Sequence, residues 1–226
     1  MLEILNPVAI NESPYRLRLA EAGIKGGWNY ALDHAWLFEK IDRYLQEQNV
    51  QRPVILDVGC GDSMFHPFLE NALNAGIIGI DRIESHFHRT HIMDFCVDFR
   101  RFSKSFTEMA DIVFWLSSIE HNSLEEQRAC VEDSLRVLKP GGLFLATFAY
   151  APQTHWDEPS EQFNLSAADA EQVMGSHWNS PPDFENTVSK YRLDLMDLDS
   201  RHSQRYGTQE YAFIVAGASI IRRPSQ

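Results

Sequence analysis

The segment ILDVGCGDS, residues 55–63, restricts the fold of this chain more than any other stretch. A short apolar run ends in Asp57 and turns at once into Gly59-Cys60-Gly61. Apolar runs of this length, without polar alternation, suit strands covered on both faces. Glycines at the turn allow backbone angles closed to other residues and let a ligand approach the main chain. In an open parallel sheet such a loop lies at the carboxyl ends of the strands, where ligands bind. The segment therefore predicts an α/β sheet and a ligand crevice together.

The rest of the chain supplies the partners such a strand needs. Residues 31–48 place Ala31, Leu32, Ala35, Trp36, Phe38, Ile41 and Leu45 near helical spacing, with Asp33, Glu39, Lys40 and Arg43 mostly elsewhere. A helix is expected over 64–74 and a second strand over 77–81. A third strand falls near His91–Met93, a fourth over 111–118, a helix over 124–138 and a fifth strand over 142–150. The KPGG run at 139–142 ends that helix. Strands separated by single helices imply right-handed crossovers and a parallel sheet. Between the second and third strands there is little room, so the helix there is expected to be reduced or missing. Residues 166–175 read as a helix with Ser166 as N-cap and Gly175 near its end. The segments 191–198 and 211–221 have only a short polar link and are expected to pair antiparallel.

Two acids follow the loop. Asp81 ends the second strand, where a carboxylate accepts hydrogen bonds from ribose hydroxyls. Asp94 follows the third strand, where it could accept from an adenine amino group beside Phe95; Asp98 is the alternative. The dinucleotide fingerprint needs a third glycine, and Met64 stands in its place, which counts against a dehydrogenase.

In order and spacing, ILDVGCGDS, IIGIDR, HIMDF, ADIVFWLSSIEH and LRVLKPGGLFLATF resemble the class I, seven-stranded S-adenosylmethionine-dependent methyltransferases of small-molecule type. The resemblance covers roughly residues 50–150. It implies a Rossmann-like α/β fold: a doubly wound, mostly parallel seven-stranded sheet with an antiparallel C-terminal strand and helices on both faces. It implies S-adenosyl-L-methionine as cofactor, with Asp57, Gly59, Cys60 and Gly61 along the methionine and ribose side. Asp81 with Arg82 would serve the ribose, Asp94 and Phe95 the adenine, and Leu116 and Ser117 the methionine end. Lys139, in the structural LKPGG turn, is given no chemistry.

The expected reaction is methyl transfer to an oxygen or nitrogen atom of a small-molecule acceptor such as a sugar, a phenol or a lipid-linked head group. The alternatives are an NAD-type oxidoreductase and a non-catalytic methyltransferase-like binding protein. His121, just after the fourth strand, is the candidate catalytic residue, since histidine is the side chain suited by type to proton transfer. His155 and Asp157 are secondary candidates. Trp28 and Tyr30 are candidates for covering substrate or cofactor. No metal is expected. The EH pair at 120–121 resembles part of an ExxEH metal motif, but Ser117 stands at its first position, and His86, His88 and His91 fit no zinc spacing.

A single domain is expected over 1–226. Residues 1–50 form an N-terminal helical cap, 51–150 the cofactor-binding core, 151–185 a substrate lid with Trp156, Phe163 and Trp178, and 186–226 the antiparallel strand pair. The net charge of −12 disfavours nucleic acid as a partner, because a phosphate backbone demands clustered Lys and Arg. Three dispersed cysteines suggest a reducing compartment rather than a disulfide framework. With neither a secretory leader nor a long apolar span, the expectation is a cytoplasmic protein without a membrane partner. The sequence is silent on oligomeric state.

Overall fold

The alternation of apolar runs and amphipathic stretches becomes strands and helices in the expected order. The computed structural model describes residues 1–24, 30–62, 64–86, 90–92, 97–158, 160–178 and 214–223. The N-terminal part holds strand β1 (Leu2–Ile4), helices α1 (Pro7–Asn11) and α2 (Pro14–Glu21), and the long α3 (Tyr30–Gln48). The core continues with β2 (Val54–Val58), α4 (Phe65–Leu73), β3 (Gly76–Asp81), β4 (Thr90–Ile92), α5 (Val97–Ser105) and β5 (Ala110–Leu116). A short 3₁₀ helix at Ile119–His121 leads into α6 (Leu124–Val137) and β6 (Leu138–Tyr150). The hairpin β7 (His155–Asp157) and β8 (Gln162–Asn164), helix α7 (Ala167–Met174) and β9 (Ile214–Ile221) complete it.

Seven strands form one sheet in the order β1-β9-β6-β5-β2-β3-β4. The pairs β2–β3, β2–β5, β3–β4 and β5–β6 are parallel, and β9 runs antiparallel to β6. The antiparallel C-terminal strand is therefore as expected. The segment 191–198, expected to pair with it, lies outside the described residues. On its outer side β9 pairs instead with β1, Leu2 opposite Ala218 and Ile4 opposite Ala216. From β2 the chain winds outward to β3 and β4, then returns to β5 and β6 on the other side. Right-handed crossovers in opposite directions put their helices on opposite faces. Accordingly α3 packs on β5 and β6 beside α4, while α6 packs on the same strands beside α5 and α7.

Local chemistry sets the element ends. Ser123 and Glu126 form a capping box that starts α6. Ser166 accepts from the Asp169 N–H, and Gly175 ends α7 in the left-handed conformation, as expected. The LKPGG segment belongs to the start of β6 rather than to a separate turn. It bulges there: Ala110 pairs with Leu138 and Ile112 with Leu143. The Lys139 ammonium closes on both oxygens of Asp111 at 2.8 and 2.9 Å, a structural role. Among the described residues no helix separates β3 from β4. Trp115, Phe114, Phe144 and Phe148 fill the core, and the Trp115 indole N–H donates to Ser134.

Candidate active site

The winding order reverses between the parallel strands β2 and β5, and their carboxyl ends define a crevice. The glycine loop forms one wall. Gly59 has φ +77°, and its N–H donates to the Ile80 carbonyl at 2.7 Å. A Cβ on Gly59 would stand 2.4 Å from the Ser118 Cβ, so this glycine lets the ends of β2 and β5 touch. Ser118 itself donates to the Val58 carbonyl at 2.8 Å. Gly61, at φ +58°, has no protein atom within 4 Å of a would-be Cβ.

The Gly61 N–H donates to Asp81 Oδ2 at 2.7 Å, and the Ile83 N–H donates to Oδ1 at 3.1 Å. Each Asp81 oxygen takes one backbone donor and retains a second acceptor direction. Asp62 ties this loop to the next, accepting from the His86 N–H at 2.8 Å and facing the His86 ring. Open space above Gly61 and acceptor capacity on Asp81 fit a nucleoside cofactor.

Side chains from distant segments form the opposite wall. Ser117 adopts φ +46°, and its hydroxyl donates to Asp33 Oδ2 at 2.6 Å. Asp33 is completely buried, which corrects its expected place on the polar face of α3. His34 beside it packs at a tilt on Phe65, ring centroids 4.3 Å apart, and stacks on Tyr30 at 6.1 Å. Burial, with Arg16 and His66 nearby, lowers its pKa to about 3, so its ring is neutral. Glu120 is 2% exposed, and its Oε2 has no hydrogen-bond partner. Burial first, then the charge of Asp33, pushes its pKa up to about 8. Glu120 is therefore a neutral acid at pH 7.

The expected site residues divide into three groups. Asp57, Gly59, Cys60, Gly61, Asp81, Arg82, Leu116 and Ser117 gather at the crevice. Within this group Asp57 is buried against His66, Oδ2 to Nε2 at 2.5 Å, and the Cys60 thiol packs inward over Gly79. Cys60 thus offers its backbone to the crevice, not its sulfur. Asp94 and Phe95 lie outside the described residues, and so does the side chain of Asp98. His121 is exposed, with Nδ1 2.7 Å from the Glu161 carbonyl. Because a carbonyl only accepts, Nδ1 carries the hydrogen of the neutral ring and Nε2 is the basic nitrogen.

Of the secondary candidates, His155 is exposed and bonded to Asn164, and Trp156 is 46% exposed, edge-on to Phe163. Trp178 packs on Tyr150, and Trp28 is outside the described residues. Sequence reading missed Asp33, Asp62, His66, Ser118 and Glu120. A signal for Asp33 was present, since Trp36 and Leu37, three and four residues on, are both core positions.

Fold and site together define a Rossmann-like protein built for an adenosine cofactor. Residues 56–146 match the family model described as a methyltransferase domain. No curated protein matches the chain. Solved structures similar in fold include the 4+2 cyclase SpnF, at 17% identity, with 89% of this chain and 85% of that one covered and a TM-score of 0.55. Burkholderia thailandensis 1,6-didemethyltoxoflavin-N1-methyltransferase, bound to its substrate and S-adenosylhomocysteine, is 8% identical, covers 98% and 92%, and has a TM-score of 0.56. Geranyl diphosphate C-methyltransferase from Streptomyces coelicolor, in complex with Mg²⁺, geranyl diphosphate and S-adenosyl-L-homocysteine, is 12% identical, covers 93% and 98%, and has a TM-score of 0.55. Residues 56–146 are thus a methyltransferase domain on a Rossmann-like fold, and that domain implies S-adenosyl-L-methionine as cofactor. Among the described residues no helix is long and apolar enough to cross a membrane.

Proposed function

We propose that this chain transfers a methyl group to an oxygen or nitrogen atom of a small-molecule acceptor such as a sugar, a phenol or a lipid-linked head group. The observation that carries this reading is the Gly61–Asp81 arrangement, an open backbone turn facing a carboxylate with acceptor capacity to spare. The backbone of Gly59, Cys60 and Gly61 lines the methionine and ribose side, with Asp57 behind it. Asp81 takes the ribose hydroxyls, with Arg82 beside it. Asp94 with Phe95, or Asp98, serves the adenine, and Leu116 and Ser117 face the methionine end.

The cofactor supplies a methyl that is already activated on a sulfonium. The work left to the chain is alignment, exclusion of water and proton handling. The hairpin β7–β8, with Trp156 at its surface, serves as the acceptor's cover. His121 meets the acceptor from the exposed rim, offering Nε2 as a hydrogen-bond acceptor.

Calorimetry with S-adenosylhomocysteine tests the cofactor half. Wild type should bind, and Asp81→Ala should bind at least tenfold more weakly, a loss of about 1.4 kcal/mol or more. Undiminished affinity in that variant would sink the assignment. The acceptor half is tested by release of S-adenosylhomocysteine with panels of sugars, phenols and amines. Turnover confined to carbon nucleophiles would overturn it.

A further inference from the structure

Glu120 is a buried ionisable group that this reading does not use. It sits in the short helix after β5, two residues beyond Ser118, the residue that abuts Gly59. Its Oε2 is buried without a hydrogen-bond partner, and such an arrangement costs stability unless some other state satisfies it. Ser117, three residues before it, is anchored to the buried Asp33. The carboxyl is therefore buried near the Ser117–Asp33 pair, at the carboxyl end of β5.

We propose that Glu120 is the charge-compensating acid of the methyl-transfer site: it gives up its proton when a sulfonium cation is bound in the crevice and recovers one from the acceptor when that positive charge disappears. The proposal rests on the cofactor assignment above and commits the acceptor to one whose reacting atom carries a proton. Atoms and charges balance. The S–CH₃ bond breaks with its electron pair left on sulfur, the bond from acceptor atom to methyl forms, and the acceptor's proton passes to Glu120 Oε2.

The electrostatics of this wall agree. Burial and Asp33 hold Glu120 in its neutral form at pH 7. A nearby cation favours ionisation, and removing that cation restores the acid. Of the elements packed against this helix, β8 contributes no ionisable side chain. From β6 comes Tyr150, which burial also keeps neutral, while Lys139 is at the far end of that strand on Asp111. Glu126, at the adjoining end of α6, is committed to the Ser123 cap, and His121 on the same short helix points to Glu161.

The test compares S-adenosylmethionine, which is a sulfonium, with S-adenosylhomocysteine, which is not. Calorimetry at pH 7.5 in phosphate and in Tris reads the protons released on binding. Wild type should release about half a proton more with the sulfonium than with the thioether. Glu120→Gln should bind both and lack this half proton, so that subtracting its difference from the wild-type difference removes the contribution of the ligands' amino groups and leaves that of Glu120. In wild type alone, preference for the sulfonium should rise about tenfold between pH 6 and pH 9, a shift of about one pKa unit. A wild-type difference no larger than that of Glu120→Gln, or a preference that changes with pH equally in both proteins, overturns the role of Glu120 and leaves the cofactor assignment standing. Failure of both ligands to bind overturns the assignment and the proposal together.

Discussion

The two walls of the crevice are built on different principles. The wall at β2 and β3 is made of backbone: Gly59, Gly61 and Ile83 hold it through main-chain groups and one carboxylate, Asp81. The wall at β5 is made of side chains that meet across the fold, Ser117 with Asp33 from 84 residues away, and Glu120 between them and the hairpin side. A backbone wall recognises what every S-adenosylmethionine site must recognise. A side-chain wall can change with the acceptor, and buried titratable groups there carry the pH sensitivity. On the proposed reading the labour is divided: the cofactor lies against glycines and the main chain, and the acceptor meets residues free to differ.

The comparison can be broken most forcefully at Gly59. Gly59→Val places its side chain against Ser118 and forces an L-residue to φ +77°, which should cost about 3 kcal/mol or more. The midpoint of urea unfolding reads it, and an unchanged midpoint would show that the walls do not depend on this contact. Gly61→Ala sharpens the contrast. No protein atom resists it, so stability should drop by only about 1 kcal/mol, while affinity for S-adenosylhomocysteine falls at least tenfold, about 1.4 kcal/mol.

On the other wall, Ser117→Ala removes a donor to buried Asp33 and should cost about 2 kcal/mol, read at the midpoint of urea unfolding. Trp156→Ala, at an exposed edge-on contact, should shift the midpoint by less than about 1 kcal/mol. A larger loss would make the hairpin a support of the fold rather than a cover.

The acids and bases of the second wall also set a pH profile. Glu120 is held near 8 against an ordinary 4.5, so the folded chain binds more protons than the unfolded one across that interval. Its contribution therefore declines as pH rises from about 4.5 through 8. His34 is held near 3 against 6.5, so the unfolded chain binds more protons there, and stability declines as pH falls from about 6.5 towards 3. Glu120→Gln should flatten the alkaline decline and leave the acid one. Chemical denaturation across pH 4–9 separates the two, and an alkaline decline that survives in this variant would place its origin elsewhere.

Most of the fold was legible because strands and helices are local in sequence. The apolar runs at 54–58, 77–81 and 111–116 could be read directly, as could the helix ended by Gly175. Strand β1 was not legible, because a three-residue segment gains its identity only from pairing with β9. The extra residues at LKPGG could not be recognised as a bulge before Ala110 and Leu138 were seen as partners.

The site divides in the same way. The sequence by itself determined the glycine loop and Asp81, because a turn and the strand end beside it are written in consecutive residues. Only the tertiary structure decided that Asp33 lies buried under Ser117, that Cys60 turns inward, and that Glu120 rather than its neighbour His121 is the buried acid. Burial is a property of everything packed around a side chain. Adjacent residues of a short helix can therefore have opposite surroundings, one in water and one in the core, which their order in the chain does not reveal.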